Sequence, residues 1–264
     1  MCAKNQNDRY LTASGVQKDL QFCLDNFSKL STLKFECGIE DLKQFQIPNK
    51  LYGREEELSL LKSIVISKET NMCLVSGYSG CGKSKLIEEL SNGQQQQMMM
   101  GVGKYDQFDR TLPYSGFISI CKSLMVQLTE FEDEEEKKRI SDSLKEKLGD
   151  EYGPVMNSII PEIKLFIGEQ KEVIQLDRSD DIQNRLFQAF MIFFNSFSDQ
   201  KSLILVIDDL QWADSASFKL LEELLKLNQK SHLFLIGAYR DNEVDSTHPL
   251  IHIKSKFTNI EQSI

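Results

Sequence analysis

A glycine-rich loop, Gly77-Tyr-Ser-Gly-Cys-Gly-Lys83-Ser84, lies between a short apolar run and a stretch with helical spacing. Its glycines allow the backbone to curl so that successive N–H groups face one anion, and the following helix adds the positive end of its dipole. In such a loop Lys83 supplies a mobile cation for β- and γ-phosphates, and the Ser84 hydroxyl can ligate Mg²⁺. The sequence therefore predicts a nucleotide-phosphate site, with a glycine-rich turn before a helix as the simpler alternative. The expected phosphate-binding residues are Gly77, Gly80, Cys81, Gly82, Lys83 and Ser84.

Two adjacent carboxylates, Asp208 and Asp209, end the apolar run Leu203–Ile207, which is the clearest strand pattern in the chain. Phosphate-bound Mg²⁺ needs a carboxylate from a strand near the phosphate loop. We expect Asp208 to hold the metal ion through water and Asp209 to polarise a water that attacks the γ-phosphate. The alternative is that two acids at the end of a strand only form a turn.

Arg240 lies just beyond a further apolar strand pattern. In an open parallel sheet this is the carboxyl end, where ligands bind, so Arg240 can contact a γ-phosphate; an ordinary surface ion pair is the alternative. Asp214 precedes a helical pattern and is expected to be its N-cap. His248 and His252 have the i,i+4 spacing of a helix, but they straddle Pro249 and have no third ligand, so we predict no metal site there.

The strands that must position these residues are short and apolar, and helical patterns separate them. Such strands indicate a parallel sheet with helices on both faces, so the predicted fold is a three-layer α/β/α protein. The predicted strands are Met72–Ser76, 102–106, Leu203–Ile207 and His232–Ala238. The predicted helices of this layer structure are Glu55–Ile66, Lys83–Leu90, Ser115–Leu128 and Ser215–Leu227.

The chain divides by pattern into a lead-in, residues 1–48, and a core, residues 49–264. The lead-in is expected to be helical, because apolar residues recur at helical intervals after the capping-box pair Ser14 and Gln17. Pro48 ends it.

Two segments of the core stand out by composition. The low-complexity run Gln94–Gln97 with Met98–Met100 is predicted to be a loop insertion, because loops tolerate extra length cheaply. The charge-rich segment Glu130–Lys147 is predicted to be a solvated helix rather than a binding site.

The composition excludes several classes of protein. The 264 residues are 41% hydrophobic and 27% charged, which excludes collagen-like, low-complexity and wholly disordered chains. The net charge of −9 disfavours a nucleic-acid-binding protein. The six cysteines show no C-x-x-C spacing, so reduced thiols and a cytoplasmic location are expected. The apolar runs are too short to span a bilayer, and the first residues lack a signal-peptide core.

With these residues placed, the chain resembles the AAA+/STAND class of P-loop ATPases, whose ATPase domains are similar to those of origin-recognition proteins. Within that class it looks like the ATPase module of large signalling proteins that join a Ser/Thr kinase-like region, this module, helical repeats and a sensor histidine kinase. The resemblance runs along nearly the whole chain. Its most specific strings are "LILVIDDLQWADSASFKLL" and "LFLIGAYRDNEVDSTHPL", whereas "GYSGCGKS" is shared by many ATPases.

The resemblance implies roles at matching positions. Tyr52 and Gly53 of the "LYGRE" segment would lie nearest the adenine, and Arg240 would be the residue that senses the γ-phosphate. Asp209, Lys83 and Arg240 would then be the catalytic set, with Ser84 and Asp208 at Mg²⁺. Motor-type relatives usually carry Glu at the position of Asp209. The shorter side chain suits slow, switch-like hydrolysis.

The resemblance also implies a fifth strand beside the strand that precedes the phosphate loop, and then a helical lid. The chain stops at Phe257-Thr-Asn-Ile-Glu-Gln-Ser-Ile264, where that strand should begin. We therefore expect a sheet truncated before the fifth strand and lid, and a fragment or shortened paralogue of a larger kinase-containing protein.

The leading hypothesis is a cytoplasmic Mg-ATP-binding signalling module that acts as a nucleotide-dependent switch, read by partner domains or by self-association, with slow ATP hydrolysis. The first alternative is a non-catalytic interaction protein derived from a truncated ATPase. The second is a DNA-remodelling AAA+ ATPase, which the acidic charge and the absence of a winged-helix region disfavour.

Overall fold

A parallel sheet forms the centre of the part of the chain that the computed structural model describes, residue 10 and residues 13–27, 53–67, 72–91, 98–108, 112–170, 179–227, 232–256 and 260–261. Its strands are β1 (Met72–Ser76), β2 (Met98–Lys104), β3 (Ser202–Asp208), β4 (Leu233–Tyr239) and β5 (Ile260–Glu261). They lie in the order β2-β3-β4-β1-β5, and all neighbours run parallel. The predicted parallel sheet is confirmed.

Helices follow or precede each strand. They are α1 (Ala13–Asp25), α2 (Glu55–Ser67), α3 (Lys83–Ser91), α4 (Ser115–Thr129), α5 (Glu134–Ile159), α6 (Lys164–Ile167), α7 (Ser179–Ser198), α8 (Ser215–Leu227) and α9 (Pro249–Lys256). Short 3-10 turns occur at Pro161–Ile163, Leu210–Trp212 and Asp241–Glu243. None of the helices in the described residues is both long and apolar enough to cross a membrane.

The chain divides into two compact units, Met1–Lys50 and Leu51–Ile264. In the first unit the helical pattern after Ser14 forms α1, and the Tyr10 hydroxyl donates a hydrogen bond to Asp19 Oδ2 at 2.8 Å. The sheet and helices α2 to α9 belong to the second unit.

Alternate residues of the central strands enter two separate apolar cores, because successive side chains of a strand point to opposite faces. On β3, Leu203, Leu205 and Ile207 join the core formed with α4, α5, α7 and α8. Ile204 and Val206 join the core formed with α2 and α3. The unbroken apolar run Leu203–Ile207 of β3 is thus explained by burial on both faces, and the three-layer α/β/α fold is confirmed.

Strand β2 begins earlier than predicted, because Met98–Met100 belong to it rather than to a loop insertion. Gln94–Gln97 lie outside the described residues. The strand lies at an edge of the sheet and buries only alternate residues, Met99, Gly101 and Gly103. It therefore lacks the continuous apolar run from which the buried strands were predicted.

The expectation that the chain ends before a fifth strand is wrong. Ile260 and Glu261 form β5 and pair in parallel with Met72 and Cys73 of β1. A two-residue strand leaves no alternating or continuous apolar pattern in the sequence, which is why the prediction missed it. The strand that leads into the phosphate loop is thus paired on both sides at these positions.

Helices α5 and α7, which lie between β2 and β3 in the sequence, pack against each other. The predicted solvated helix is only partly so: acidic residues occupy the first turn of α5, but Ile140, Leu144 and Leu148 are buried. Four phenylalanine rings of α7 are fully buried and pack on one another, including Phe193 and Phe197 at 5.0 Å between centroids. These rings belong to the apolar core on this face of the sheet.

Candidate functional site

The glycine loop leaves β1 at Ser76 and enters α3 at Lys83. The backbone φ angles of Gly77, Gly80 and Gly82 are 150°, 80° and 94°, and residues with a Cβ rarely adopt such angles. A Cβ added to Gly77 would also lie 2.9 Å from the Cys81 sulfur. The loop conformation therefore depends on its glycines, as expected for a backbone that curls around an anion.

The Lys83 ammonium lies over this loop. Its Nζ donates hydrogen bonds to the carbonyl oxygens of Gly77 at 2.8 Å and Tyr78 at 2.9 Å, and it lies 3.8 Å from Cys81 Sγ. The cation thus lies directly against the glycine loop.

One hydrogen bond joins the loop to the acidic pair across the sheet. Ser84 Oγ donates to Asp208 Oδ2 at 2.8 Å, and the two residues are 124 positions apart in the sequence. The described residues hold no cluster of three or more His, Cys, Asp or Glu side chains that could enclose a metal ion. Mg²⁺ does not need one, because it is commonly held by one or two protein oxygens together with water and substrate phosphates. Ser84 and Asp208 supply oxygens of the kind that fit it.

Asp209 is buried and surrounded by donors. Its φ of 51° lies in the left-handed region, so the backbone turns sharply where β3 ends. Oδ1 accepts from Gln211 Nε2 at 3.0 Å and from Arg240 Nε at 3.2 Å, while Oδ2 lies 3.0 Å from Lys104 Nζ. Burial by itself would raise the pKa of Asp209, but the hydrogen bonds from Gln211 and Lys104 and the charges of Lys104 and Arg240 outweigh it. The pKa of Asp209 is therefore below its ordinary value.

Lys104 is a site residue that the sequence analysis missed. It is the last residue of β2 and stands directly beside Asp208 in the parallel register. Its Nζ lies 3.5 Å from Asp208 Oδ2 as well as 3.0 Å from Asp209 Oδ2, and the hydrogen bond to Asp209 raises the pKa of Lys104. A polar residue at the end of a strand next to Asp208 was a usable signal, but the predicted strand 102–106 placed Lys104 in its middle.

Arg240 follows β4 and reaches the acidic pair. Besides the contact with Asp209, its Nη1 lies 2.9 Å from Glu243 Oε1, and its guanidinium carbon lies 4.6 Å from the centre of the Trp212 ring. The Trp212 indole donates to Glu243 Oε2 at 2.8 Å. The structure therefore brings Arg240 to Asp209, in ion pairs with that residue and with Glu243.

Gln211 is a second residue that the sequence analysis missed. Its side chain is buried between Asp209 and Arg240: Nε2 donates to Asp209 Oδ1, and Oε1 accepts from the backbone N–H of Arg240 at 3.2 Å. The string Asp-Asp-Leu-Gln-Trp carried no signal for this contact, because it depends on the 3-10 turn that follows Asp209.

The remaining predicted residues have structural contacts. Asp214 caps α8, since its Oδ1 accepts from the Ser217 backbone N–H at 2.9 Å, so the predicted N-cap is confirmed. His248 Nε2 lies 3.0 Å from the Gln211 carbonyl oxygen, and its Nδ1 accepts from the Leu250 N–H at 3.2 Å.

The segment expected near the adenine is described only in part. Tyr52 lies outside the described residues, and Gly53 is exposed with a φ of 67°. Arg54 follows it and approaches the glycine loop, with Nη2 3.5 Å from the Cys81 carbonyl oxygen.

A cavity of about 580 Å³ is lined by Gln211 and Trp212 of the turn after β3, and Tyr105, Asp214 and His248 also line it. Within the described residues, none of the loop Gly77–Ser84 lines this cavity.

Two curated relatives are similar to this chain over small parts of their length. Hybrid signal transduction histidine kinase G of Dictyostelium discoideum is 30% identical over 254 residues, which cover 85% of this chain and 7% of that protein. Peroxide stress-activated histidine kinase mak3 of Schizosaccharomyces pombe is 24% identical over 216 residues, 63% of this chain and 9% of that protein. The chain thus spans less than a tenth of either relative.

Among solved structures, that of C. elegans PCH-2 matches with a TM-score of 0.33 and 12% identity, covering 82% of this chain and 44% of the other. The family model described as "AAA ATPase domain" matches residues 50–236. Those residues hold the complete glycine loop, the acidic pair and the helices that cover both faces of the sheet. The chain belongs to the AAA ATPase domain family.

Proposed function

We propose that this chain is a Mg-ATP-binding module of a signalling protein, and that its conformation depends on whether ATP or ADP is bound. The observation that carries the proposal is the hydrogen bond from Ser84 Oγ to Asp208 Oδ2. It joins the glycine loop to the acidic pair where the carboxyl ends of the strands meet. Membership of the AAA ATPase family supports nucleotide binding. We further propose that residues 49–264 form the ATPase core and residues 1–48 a helical lead-in.

The residues of the glycine loop would bind the phosphates. The backbone N–H groups of Gly77, Gly80, Cys81 and Gly82 and the Lys83 ammonium supply the donors and the positive charge. When bound, Mg²⁺ neutralises charge on phosphate oxygens, and Ser84 with Asp208 would hold it. Tyr52 and Gly53 would lie against the adenine.

Asp209 and Arg240 would act on the terminal phosphate. In hydrolysis a water oxygen attacks the γ-phosphorus, the bond to the bridging oxygen of ADP breaks, and inorganic phosphate leaves. Asp209 would orient the water and accept its proton, while Arg240 would interact with the γ-phosphate. Because three donors hold Asp209 and lower its pKa, it is a weak base in this arrangement, which favours slow turnover.

The signalling role is supported by the names of the relatives, both of which are histidine kinases. We propose that partner domains, or a second copy of the chain, read the nucleotide state in the cytoplasm. A nucleotide changes conformation only through a difference in affinity between two states, so ATP and ADP must bind them unequally.

Calorimetric titration of the whole chain with Mg-ATP and Mg-ADP tests the proposal. We expect Lys83→Ala to weaken Mg-ATP binding by about tenfold or more, because a charge-assisted contact to phosphate is lost. Lys85→Ala is the matched control, since Lys85 lies on the same helix but pairs with Glu88 at 2.9 Å. Equal affinity in the Lys83→Ala variant and the native chain would overturn the proposal.

A second candidate, a nucleotide-binding interaction protein without turnover, is favoured by the three donors on Asp209. The two are separated by phosphate release from Mg-ATP under conditions where binding is saturated. Release that Asp209→Asn abolishes supports the ATPase, whereas binding without release supports the interaction protein.

A further inference from the structure

We propose that Gln211 is a positioning residue, which fixes the carboxylate of Asp209 and the backbone of Arg240 relative to each other. The inference rests on the proposed function, because it assigns Gln211 a part in the hydrolysis that those two residues would perform. Gln211 would not touch the nucleotide itself.

The chemistry of its two neighbours fixes the orientation of the Gln211 amide. An ionised carboxylate can only accept, so the NH₂ group must face Asp209 Oδ1, 3.0 Å away. A backbone N–H can only donate, so the amide oxygen must face Arg240 N, 3.2 Å away. A flipped amide would oppose like groups on both sides. One side chain therefore satisfies both neighbours in a single orientation.

The backbone explains why Asp209 needs such support. Asp209 has left the strand and adopts a left-handed φ of 51°, so the sheet no longer sets the direction of its side chain. The following 3-10 turn is closed by the Trp212 N–H, which donates to the Asp209 carbonyl oxygen at 3.0 Å. This turn places Gln211 next to Asp209, and Gln211 is only 6% exposed there.

Arg240 is held by two separate sets of contacts. Trp212 and Glu243 contact its guanidinium, whereas Gln211 contacts its backbone where β4 ends. Removing the Gln211 amide would leave the guanidinium contacts with Trp212, Glu243 and Asp209 in place. It would remove the link from the Arg240 backbone to the Asp209 carboxylate. We therefore expect Asp209 and Arg240 to lose their mutual alignment rather than their presence in the site.

Gln211→Met is the test variant, because Met has a similar length without the amide. Gln127→Met is the matched control. The Gln127 amide oxygen accepts from the Met100 N–H, and its NH₂ group donates to the Met100 carbonyl oxygen. Met100 lies in β2 and does not contact Asp209. Gln211→Met loses two hydrogen bonds and Gln127→Met loses three. Only Gln211→Met removes contacts with Asp209 and Arg240. Steady-state ATPase rates are measured for the whole chain over a range of Mg-ATP concentrations, which separates kcat from KM.

We expect Gln211→Met to lower kcat by about tenfold or more and to change the KM for Mg-ATP by less than about twofold. Gln127→Met should leave kcat and KM unchanged. Gln211→Glu retains the acceptor for Arg240 but opposes the Asp209 carboxylate with a second one, so its kcat should fall at least as far as that of Gln211→Met. Native kcat in Gln211→Met would overturn the inference.

A second readout needs no turnover. The Arg240 Nε–H signal in a nitrogen-15 spectrum, assigned by its loss in Arg240→Lys, should exchange slowly with water because Nε donates to the buried Asp209. We expect faster exchange in Gln211→Met and native exchange in Gln127→Met. If the native chain has no ATPase activity, the hydrolysis proposal fails while this signal still decides the role of Gln211. Native exchange in Gln211→Met would refute that role.

Discussion

At the scale of single residues, the two carboxylates of the acidic pair contact different groups. Asp208 faces the glycine loop through Ser84, whereas Asp209 faces Gln211 and Arg240. Lys104 lies between the two carboxylates and contacts both. Two adjacent acids of the same type therefore have different environments, and this difference suits the two roles that we propose, one at a metal ion and one at a water.

Lys104→Met should raise the rate of ATP hydrolysis severalfold at neutral pH. Lys104 donates to Asp209 Oδ2 and helps lower the pKa of that carboxyl, so its removal leaves a stronger base with a free oxygen. Phosphate release from Mg-ATP under saturating conditions measures the effect. Lys122→Met, at an exposed position of α4, is the control, and a slower Lys104→Met variant would refute the prediction.

The depressed pKa of Asp209 also predicts how stability depends on pH. Since the folded-state pKa lies below the unfolded value of about 3.9, the unfolded chain binds more protons in this range. The contribution is present above the unfolded pKa and is lost as the pH falls through the folded one.

Urea unfolding at a series of pH values should therefore show a steeper loss of stability in acid for the native chain than for Asp209→Asn, which cannot titrate. Parallel curves for the two proteins would mean that Asp209 has an ordinary pKa. Asp208→Asn serves as a comparison with an acid in the same strand.

At the scale of elements, helix α4 closes the free edge of the sheet. The Gln127 amide bonds both backbone groups of Met100, and the Ser123 hydroxyl accepts from the Val102 N–H at 3.4 Å. A bare edge strand is a template for pairing with another chain, so these side chains protect the sheet against aggregation. The helix lies this close because Gly101 and Gly103 face it.

Gly103→Ala should destabilise the fold by about 1–3 kcal/mol or more, because overpacking displaces backbone that cannot yield. The added Cβ would lie 2.1 Å from the Gly116 carbonyl oxygen, well inside contact distance. The free energy of unfolding from urea titration measures the effect. Val102→Thr on the exposed side of the same strand should change it by less than about 0.5 kcal/mol, and equal stability of the two variants would contradict the packing argument.

At the scale of the whole molecule, the strand order assembles the site. Strands β3, β4 and β1 are adjacent, and each delivers its group at its carboxyl end: the acidic pair, Arg240 and the glycine loop. The edge strand β2 adds Lys104 to the same end. Ligands of open parallel sheets bind at this end, and here four neighbouring strands contribute to it.

Binding of Mg-ATP should stabilise the fold by mass action. At a ligand concentration about 100 times the dissociation constant, the gain is about 2.7 kcal/mol if only the folded state binds. Thermal unfolding with and without Mg-ATP measures this gain as a rise in Tm. The rise should vanish in Lys83→Ala and persist in Lys85→Ala, and an equal rise in both variants would argue against binding at the glycine loop.

The sequence predicted the groups that local patterns specify. The glycine loop, the acidic pair and the N-cap Asp214 each sit at a boundary between a periodic segment and a turn, where side-chain chemistry and backbone demands coincide. Lys104 and Gln211 could not be found in this way. The contacts of Lys104 follow from the register of β2 against β3, and those of Gln211 follow from the left-handed turn at Asp209. Strand β5 was not predicted, because a strand of two residues is too short to show a hydrophobic periodicity.

Trp212 is the only tryptophan of the chain, and its ring carries the Arg240 guanidinium at 4.6 Å. Light absorbed near the red edge of the protein spectrum therefore excites one indole, at the place where the terminal phosphate would be sensed. A cation over an indole changes the emission of that ring, so any displacement of Arg240 becomes an optical signal without a label. Rapid mixing of the native chain with ATP or ADP can then measure the rate of the proposed conformational change from the change in Trp212 emission.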